Sequence, residues 1–549
     1  MRSSLAKIIL EMAVVISLGL WLGSCGSQPH CPTCGTTVNG AYAVLNVVPV
    51  PEHNPTGEPG GPFNSFDISW FDPIQQKVYT SDRIGLDVVV TDAAHNFAVN
   101  TIGGLNQVAN AGNNGSPCWG QAATEVQAIP SIVTGLGSVN NTRPGNGLTR
   151  FGCRNAPFFA AFGTAFPGFG PNGFFGGVPG AQCCASRANG VNPLSGPNGL
   201  LVTPDGKTLF VGSGSASVVV FDLTTNPPEV IADFPTGSSP DFDGPSGVGP
   251  CIASWNGGAG SAPECADDRA DEMAYGTVGG HDILTIANGV PCPNPSTSVP
   301  SGLAGTFTLA ETGGTITIPC HHSAIVDANT GAFITSNGSA LAGQQGEIAV
   351  AGTGAVGFNP LHGTFYLENL NCTVSNLATQ SSVAVGCIDE IDPRIGNPNG
   401  PVVINVVPTL QCMPAGIVQG PGHDFFVGCG GHDGVQFPPL LIIFDGTCTT
   451  SAACSASEVQ ITQSGGTDQV WYNPGDNRYY TAGRDMPNGP VLGVVDAVTR
   501  QWLVNVTTGS NSHSVTVNQF TNQIFVPTQS GALCGTQSSN GCIAVYGRQ

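Results

Sequence analysis

Three stretches of the chain, laid in register, decide the fold: SFDISWFDPIQQKVYTSDR (65–83), GPNGLLVTPDGKTLFVGSG (196–214) and GTDQVWYNPGDNRYYTAGR (466–484). Each is an apolar strand, a turn built on Pro with Asp, Asn or Gln, and a second strand. The turn prolines are Pro73, Pro204 and Pro474, and an aromatic follows six residues later at Tyr79, Phe210 and Tyr480. Pro360 and Tyr366 keep the same spacing. Three further copies keep it without the proline, from Gln519 to Phe525, Gly420 to Phe426 and Thr277 to Ile283. Seven copies in one register outrank any local assignment of structure.

Each copy continues alike. A third apolar run follows, closed by Asp92, Asp222, Asp327, Asp392, Asp445 or Asp496, and only the last copy departs, ending at Tyr546. Alternating Val, Ile and aromatic residues between Asp, Gly and Asn turns read as antiparallel strands. A three- or four-stranded sheet cannot bury both faces alone, so seven of them predict a radial stack, the seven-bladed β-propeller. The last copy stops short of a fourth strand. AYAVLNVVPV (41–50) precedes the first copy and can complete it, leaving 26–40 as a tether.

Composition agrees. The 549 residues include 77 Gly and 43 Pro with only 9% charged, which excludes a helical bundle or coiled coil. The 40% hydrophobic content excludes a long disordered chain. Net charge is −21, from 15 Lys+Arg against 36 Asp+Glu. Nucleic acid is thereby a poor partner, since phosphate binding needs clustered cations. Small cations and cationic molecules suit the surface better.

Residues 1–25 read as an export signal. Arg2 and Lys7 precede a short apolar run, Met12 to Gly23, with Glu11 breaking the pattern upstream. Leu22-Gly23-Ser24-Cys25 matches a bacterial lipobox, with Cys25 the lipidated residue; the alternative is an ordinary signal peptide. Gly26 lacks the Asp that marks inner-membrane retention, so the expectation is the outer membrane, facing the periplasm or the cell surface. Of 19 cysteines, 18 remain once Cys25 is set aside. Such a number suits an oxidising compartment. Nearest-neighbour couples are the default pairing: Cys251/Cys265, Cys292/Cys320, Cys372/Cys387, Cys412/Cys429, Cys448/Cys454 and Cys534/Cys542.

The blocks ADDRADEMAY (266–275), GGTDQVWYNPGDNRYY (465–480), PVLGVVDAVT (490–499), NSHSVTV (511–517) and GCIAVY (541–546) resemble the YVTN-type, YncE-like propellers of bacterial envelopes. The likeness covers most of 41–549. It implies the seven-bladed fold and an envelope setting. For function it implies a binder or scaffold, a lactonase- or lyase-type enzyme, or a subunit for a redox partner. The chain departs from the simple repeat by a Gly-, Asn- and Phe-rich insertion at 105–195, and by smaller ones at 287–320, 368–386 and 430–439. Long loops on a propeller carry function or cover something, so a protein or small-molecule partner is expected on that face.

The register allows one sharp inference about chemistry. The residue six before each turn position opens the innermost strand at the channel mouth: Asp67, Asn198, Asp271, Gly354, Pro414, Asp468 and His513. Glu272 and Gln469 sit one residue on. Blades six, seven, one, two and three thus carry a polar arc with no Arg or Lys at those positions, while blades four and five offer Gly and Pro. Converging carboxylates at Asp67, Asp271 and Asp468, with an amide oxygen, suit a hard cation such as Ca²⁺, drawn from solution, with His513 as a general base beside it and Glu272 a second catalytic candidate. The alternative is that these residues cap strands and hold channel water.

Other motifs are weaker. His423, Cys429 and His432 have metal-like spacing, but a Cys412–Cys429 disulfide is simpler. Cys320-His321-His322 meets the same objection through Cys292. Gly206-Lys207-Thr208 ends like a phosphate loop but lacks its first glycine, and Asp205-Gly206 reads as a hairpin turn. No G-x-S-x-G nucleophile elbow occurs, and Cys31-Pro32-Thr33-Cys34 in the tether reads as a structural disulfide or as pairing with a loop Cys rather than as a redox pair.

Overall fold

The computed structural model describes residues 41–50, 63, 65–83, 87–103, 126–128, 142–144, 186–187, 190–191, 197–213, 217–226, 228–235, 251–252, 264–265, 270–288, 304–308, 315–319, 322–331, 334, 347–349, 354–369, 386–395, 401–409, 412–430, 439–529, 531–535 and 541–549. The signal segment with Cys25, the tether, and Cys292, Cys320 and His432 lie outside them. So does most of the 105–195 insertion, of which only four short strands are described. Among the described residues no helix is long and apolar enough to cross a membrane.

Among the described residues, seven four-stranded antiparallel sheets form a ring, beside four two-stranded hairpins. Blade one comprises Phe66–Asp72, Lys77–Asp82, Asp87–Asp92 and Phe97–Gly103; blade two Pro197–Val202, Thr208–Ser213, Ser217–Asp222 and Glu229–Pro235. Blade three comprises Ala270–Val278, His281–Asn288, His322–Asp327 and Glu347–Ala349; blade four Val356–Asn359, Thr364–Asn369, Gly386–Asp392 and Val402–Thr409. Blade five comprises Met413–Gln419, Asp424–Gly430, Leu441–Asp445 and Val459–Ile461; blade six Thr467–Asn473, Arg478–Gly483, Val491–Asp496 and Gln501–Thr507. Blade seven joins Thr516–Asn518, Gln523–Thr528 and Cys542–Arg548 to Tyr42–Pro49 as its outer strand. Each first strand packs against the next, and that of blade seven against that of blade one, so the ring is closed. Residues 43–547 form this unit; the small second unit, 1–42 with 548–549, shows Arg548 over the Tyr42 ring.

The repeated residues have physical reasons. In five blades the aromatic six after the turn faces the next blade. Tyr79 packs with Leu200 and Val211 of blade two, Phe210 with Leu284 of blade three, and Phe525 with Val78 of blade one. All three are at most 2% exposed. Its neighbours on the same strand face the other way, as the two-residue period of a strand requires. Tyr366 and Phe426 do the same toward blades five and six. The closing Asp of each third strand caps the turn that follows, its Oδ1 accepting the backbone N–H two residues on. The distances are 2.9 Å at Asp92, 2.8 Å at Asp222, 3.0 Å at Asp327, 2.8 Å at Asp392, 2.9 Å at Asp445 and 3.1 Å at Asp496. Asp72, Asn359, Asn473 and Asn518 cap the first turn likewise. These are Asx turns, in which a short carboxyl or amide mimics a backbone acceptor.

Disulfides join Cys412 to Cys429, Cys448 to Cys454 and Cys534 to Cys542. The first occupies Cys429 and removes it from any metal set. Cys251 and Cys265 stand opposite each other on paired strands. Asp205-Gly206 is a hairpin turn, with Gly206 at φ +69°.

Candidate functional site

Strand one of a blade is regular except at its start. Pairing with strand two slips between Phe66 and Ser69, Pro197 and Leu200, Ala270 and Met273, and Thr467 and Val470. Blade five slips between Pro414 and Gly416. The residues inside these bulges are Asp67 and Ile68, Asn198 and Gly199, Asp271 and Glu272, Asp468 and Gln469. A bulge bends its strand and re-aims side chains. This is why the positions picked out by register fall together at one end of the channel. Close backbone approach follows: a Cβ on Gly199 would stand 1.7 Å from the Asp271 carbonyl oxygen, and one on Gly416 2.1 Å from that of Asp468.

The ring is not made of carboxylates alone. Arg83, one residue past the second strand of blade one, places Nη2 on the Asp67 carboxylate and Nε 2.6 Å from Asn198 Oδ1. Arg484, at the same place in blade six, lies 3.3 Å from Asp468 and 3.4 Å from Asp485. Burial works against charge on Arg484, but Asp468 and Asp485 outweigh it, so its proton is held more tightly than usual. The expectation that compensating cations must come from solution is corrected at these two carboxylates. Arginines reach them from strand two, which a reading of strand one alone does not see.

Blade four also contributes an acid. Gly354 has no side chain, and Glu368 fills its place, accepting the N–H groups of Gly354 at 2.6 Å and Ala355 at 2.9 Å. Burial pushes the Glu368 carboxyl well above the usual range, and the charges of Asp468 and Asp271 add to this against the pull of the two N–H groups. Glu272 is raised well above it too, first by burial, then by Asp468, Asp271, Asp67 and Glu368. Four carboxyl groups therefore act on Glu272 across the mouth. Glu272 takes no hydrogen bond from a described residue.

Two polar residues of the arc turn out to be occupied. Gln469 gives Nε2 to the Ser69 carbonyl at 2.7 Å, and its Oε1 accepts from Ser69 N–H, Ser514 Oγ and Val515 N–H at 3.1, 2.7 and 3.1 Å. It stitches blades six, seven and one. His513 stacks on Phe66 with centroids 4.9 Å apart. Its Nδ1 lies 2.6 Å from the Asn511 carbonyl, and its Nε2 3.2 Å from that of Phe66 and 3.7 Å from Asp67 Oδ1. Asp67, Asp468 and His513 bring one ligand atom each within 4.8 Å of one another, close enough for a metal ion; Asp271 is outside that group.

Beyond the mouth the channel widens into a cavity of about 310 Å³. Its wall is made of residues two apart on the first strands, Ile68 and Trp70, Leu200 and Val202, Val356 and Phe358, with Ile417 and Trp471. Trp70 and Trp471 meet edge to face with centroids 5.2 Å apart. Glu272 and Gln469 are the polar groups at its mouth end.

No family model matches the chain, and no curated protein matches it. Among solved structures it is similar to a chain of the mitotic checkpoint complex, with 8% identity and a TM-score of 0.42, over 95% of this chain and 98% of that one. It is also similar to a chain of Kuenenia stuttgartiensis hydrazine synthase, with 13% identity and a TM-score of 0.44, over 90% and 97%. Neither likeness bears on what this chain does.

Proposed function

We propose that this chain is an exported, lipid-anchored propeller of the YVTN type that binds a cationic ligand at the mouth of its axial channel. One observation carries the binding reading. Asp67, Asp271, Glu368 and Asp468 all act on Glu272 there, and the guanidinium groups found among them sit on Asp67 and Asp468. Negative charge held in a part-buried mouth favours any cation that enters. An arriving cation favours the charged form of Glu272 against the burial and neighbouring carboxylates that oppose it. Calorimetric titration of Ca²⁺, Mg²⁺ and methylammonium tests this. The expected result is binding by at least one cation, lost in Glu272→Gln. Absence of binding by all of them overturns the reading.

A second reading is a metal-assisted lactonase- or lyase-type enzyme, favoured by the closeness of Asp67, Asp468 and His513. The envelope setting rests on the lipobox at Cys25. Cys25→Ser should release the protein from membranes, and continued pelleting with membranes in high salt would sink that part.

A further inference from the structure

We infer that the ligand of the channel is an amphiphilic organic ammonium, its charged head at Glu272 and its apolar body in the cavity beyond, rather than a bare metal ion. This rests on the cation-binding reading above and narrows it. The cavity of about 310 Å³ is continuous with Glu272. An apolar cavity of ~150 Å³ already admits a benzene ring, so a ring with a short linker fits. The volume also lies at the lower end of the ~300–1,000 Å³ usual for small-molecule pockets.

The wall chemistry chooses between the two classes. Ca²⁺ needs ~6–8 oxygen ligands. The cavity offers the Glu272 carboxylate, while the Gln469 oxygen is spent on three donors. The rest of the lining is mainly aliphatic, with the indoles of Trp70 and Trp471 and the ring of Phe358; its other polar side chains are Gln419, Tyr275 and Tyr472, the last giving its hydroxyl to Asn477. A hydrated ion gains nothing from such a surface. An ammonium group needs only acceptors for its N–H donors, and the carbon skeleton attached to it removes apolar wall from water. Trp70 and Trp471, set edge to face, leave a ring face for an aryl group or a second cationic centre.

The three-residue group of Asp67, Asp468 and His513 is the competing seat for a metal. Arg83 and Arg484 already lie on its two carboxylates. The His513 nitrogens face the Asn511 and Phe66 carbonyls. A metal there must displace both guanidinium groups. An ammonium at Glu272 displaces none.

The test is a calorimetric series on the wild-type protein: methyl-, butyl- and hexylammonium, phenethylammonium, hexanol, and Ca²⁺. Each buried methylene should tighten binding by about fourfold until the cavity is full. Hexanol, with no charge, should bind at least tenfold more weakly than hexylammonium. Glu272→Gln should abolish the charge preference. Ile417→Trp, which fills the cavity, should remove the gain from chain length. If methylammonium or Ca²⁺ binds as tightly as hexylammonium, the apolar channel is no part of the site and the inference falls, while the cation reading stands. If no cation binds, both fall.

Discussion

Replacing Arg83 by Gln should convert a self-compensated mouth into one that depends on an added cation. The side chains of Arg83 and Asp67 are 12% and 4% exposed, so little water is available to take over when one partner goes. Breaking a buried pair of this kind costs about 3–5 kcal/mol, because the remaining charge is stranded. Here the Asp67 carboxylate, which keeps His513 at 3.7 Å, also acts on Glu272. Asn198 Oδ1, which accepts Arg83 Nε at 2.6 Å, loses a donor at the same time. The two losses share one side chain and do not simply add. The assay is thermal and urea unfolding of wild type, Arg83→Gln, and Arg83→Gln with Asp67→Asn, each with and without Ca²⁺. The single variant should unfold well below the wild type, and the double variant should recover most of the loss. Ca²⁺ should raise the single variant more than the wild type, because it frees Asp67 beside Asp468 and His513. Should Arg83→Gln unfold with the wild type, or the double variant fare no better than the single, the compensation argument is wrong.

Three further outcomes follow from the same geometry. Glu272 has a folded-state pKa above its ordinary 4.5, so the native state holds its proton longer than the unfolded chain and loses stability as pH rises. Glu272→Gln should therefore match the wild type at low pH, then gain on it by about 1.4 kcal/mol per pH unit above that value until the folded-state pKa is passed; a difference that stays flat between acid and neutral pH refutes the assignment. Gly199→Ala should destabilise by at least ~1–3 kcal/mol through overpacking against Asp271 and weaken cation binding, whereas Gly531→Ala, which meets nothing within 4 Å, should be neutral in both assays. In the chain-entropy account, opening Cys412–Cys429, 17 apart in sequence, should cost about 3 kcal/mol, and Cys448–Cys454, 6 apart, about 2 kcal/mol, checked by denaturant midpoints of the paired Cys→Ser variants.

The blade architecture was legible because each blade solves the same packing problem with the same residue types at the same offsets. Tyr79, Phe210, Tyr366, Phe426, Tyr480 and Phe525 recur because every blade must present a bulky face at one height. Asp92 and its five counterparts recur because in blades one to six the third strand ends in a turn that wants an acceptor. Register along one strand also sufficed to bring Asp67, Asn198, Asp271 and Asp468 to one mouth. What it could not supply was the other side of the charge balance. Arg83 is 16 residues from Asp67, and Glu368 is 14 from Gly354. Each lies across a hairpin, and only the antiparallel return of strand two brings it back beside the start of strand one. A trace was present, since the first and third of the aligned stretches both end in Arg, at Arg83 and Arg484.

That trace bears on where a ligand sits. The two arginines come from blades one and six, which flank blade seven and its His513. They compensate the sector in which three ligand atoms gather within 4.8 Å. Blades three and four supply Glu272 and Glu368, and no described Arg or Lys pairs with either. Glu368 is held by two backbone N–H groups; Glu272 has no such donor and borders the cavity. Burial and neighbouring charge oppose a lone negative charge on Glu272, so it is the carboxyl that gains most from an arriving cation. Charge compensation, read blade by blade, moves the seat of binding away from the most crowded group of metal-type ligands and toward the carboxyl that the fold leaves unanswered.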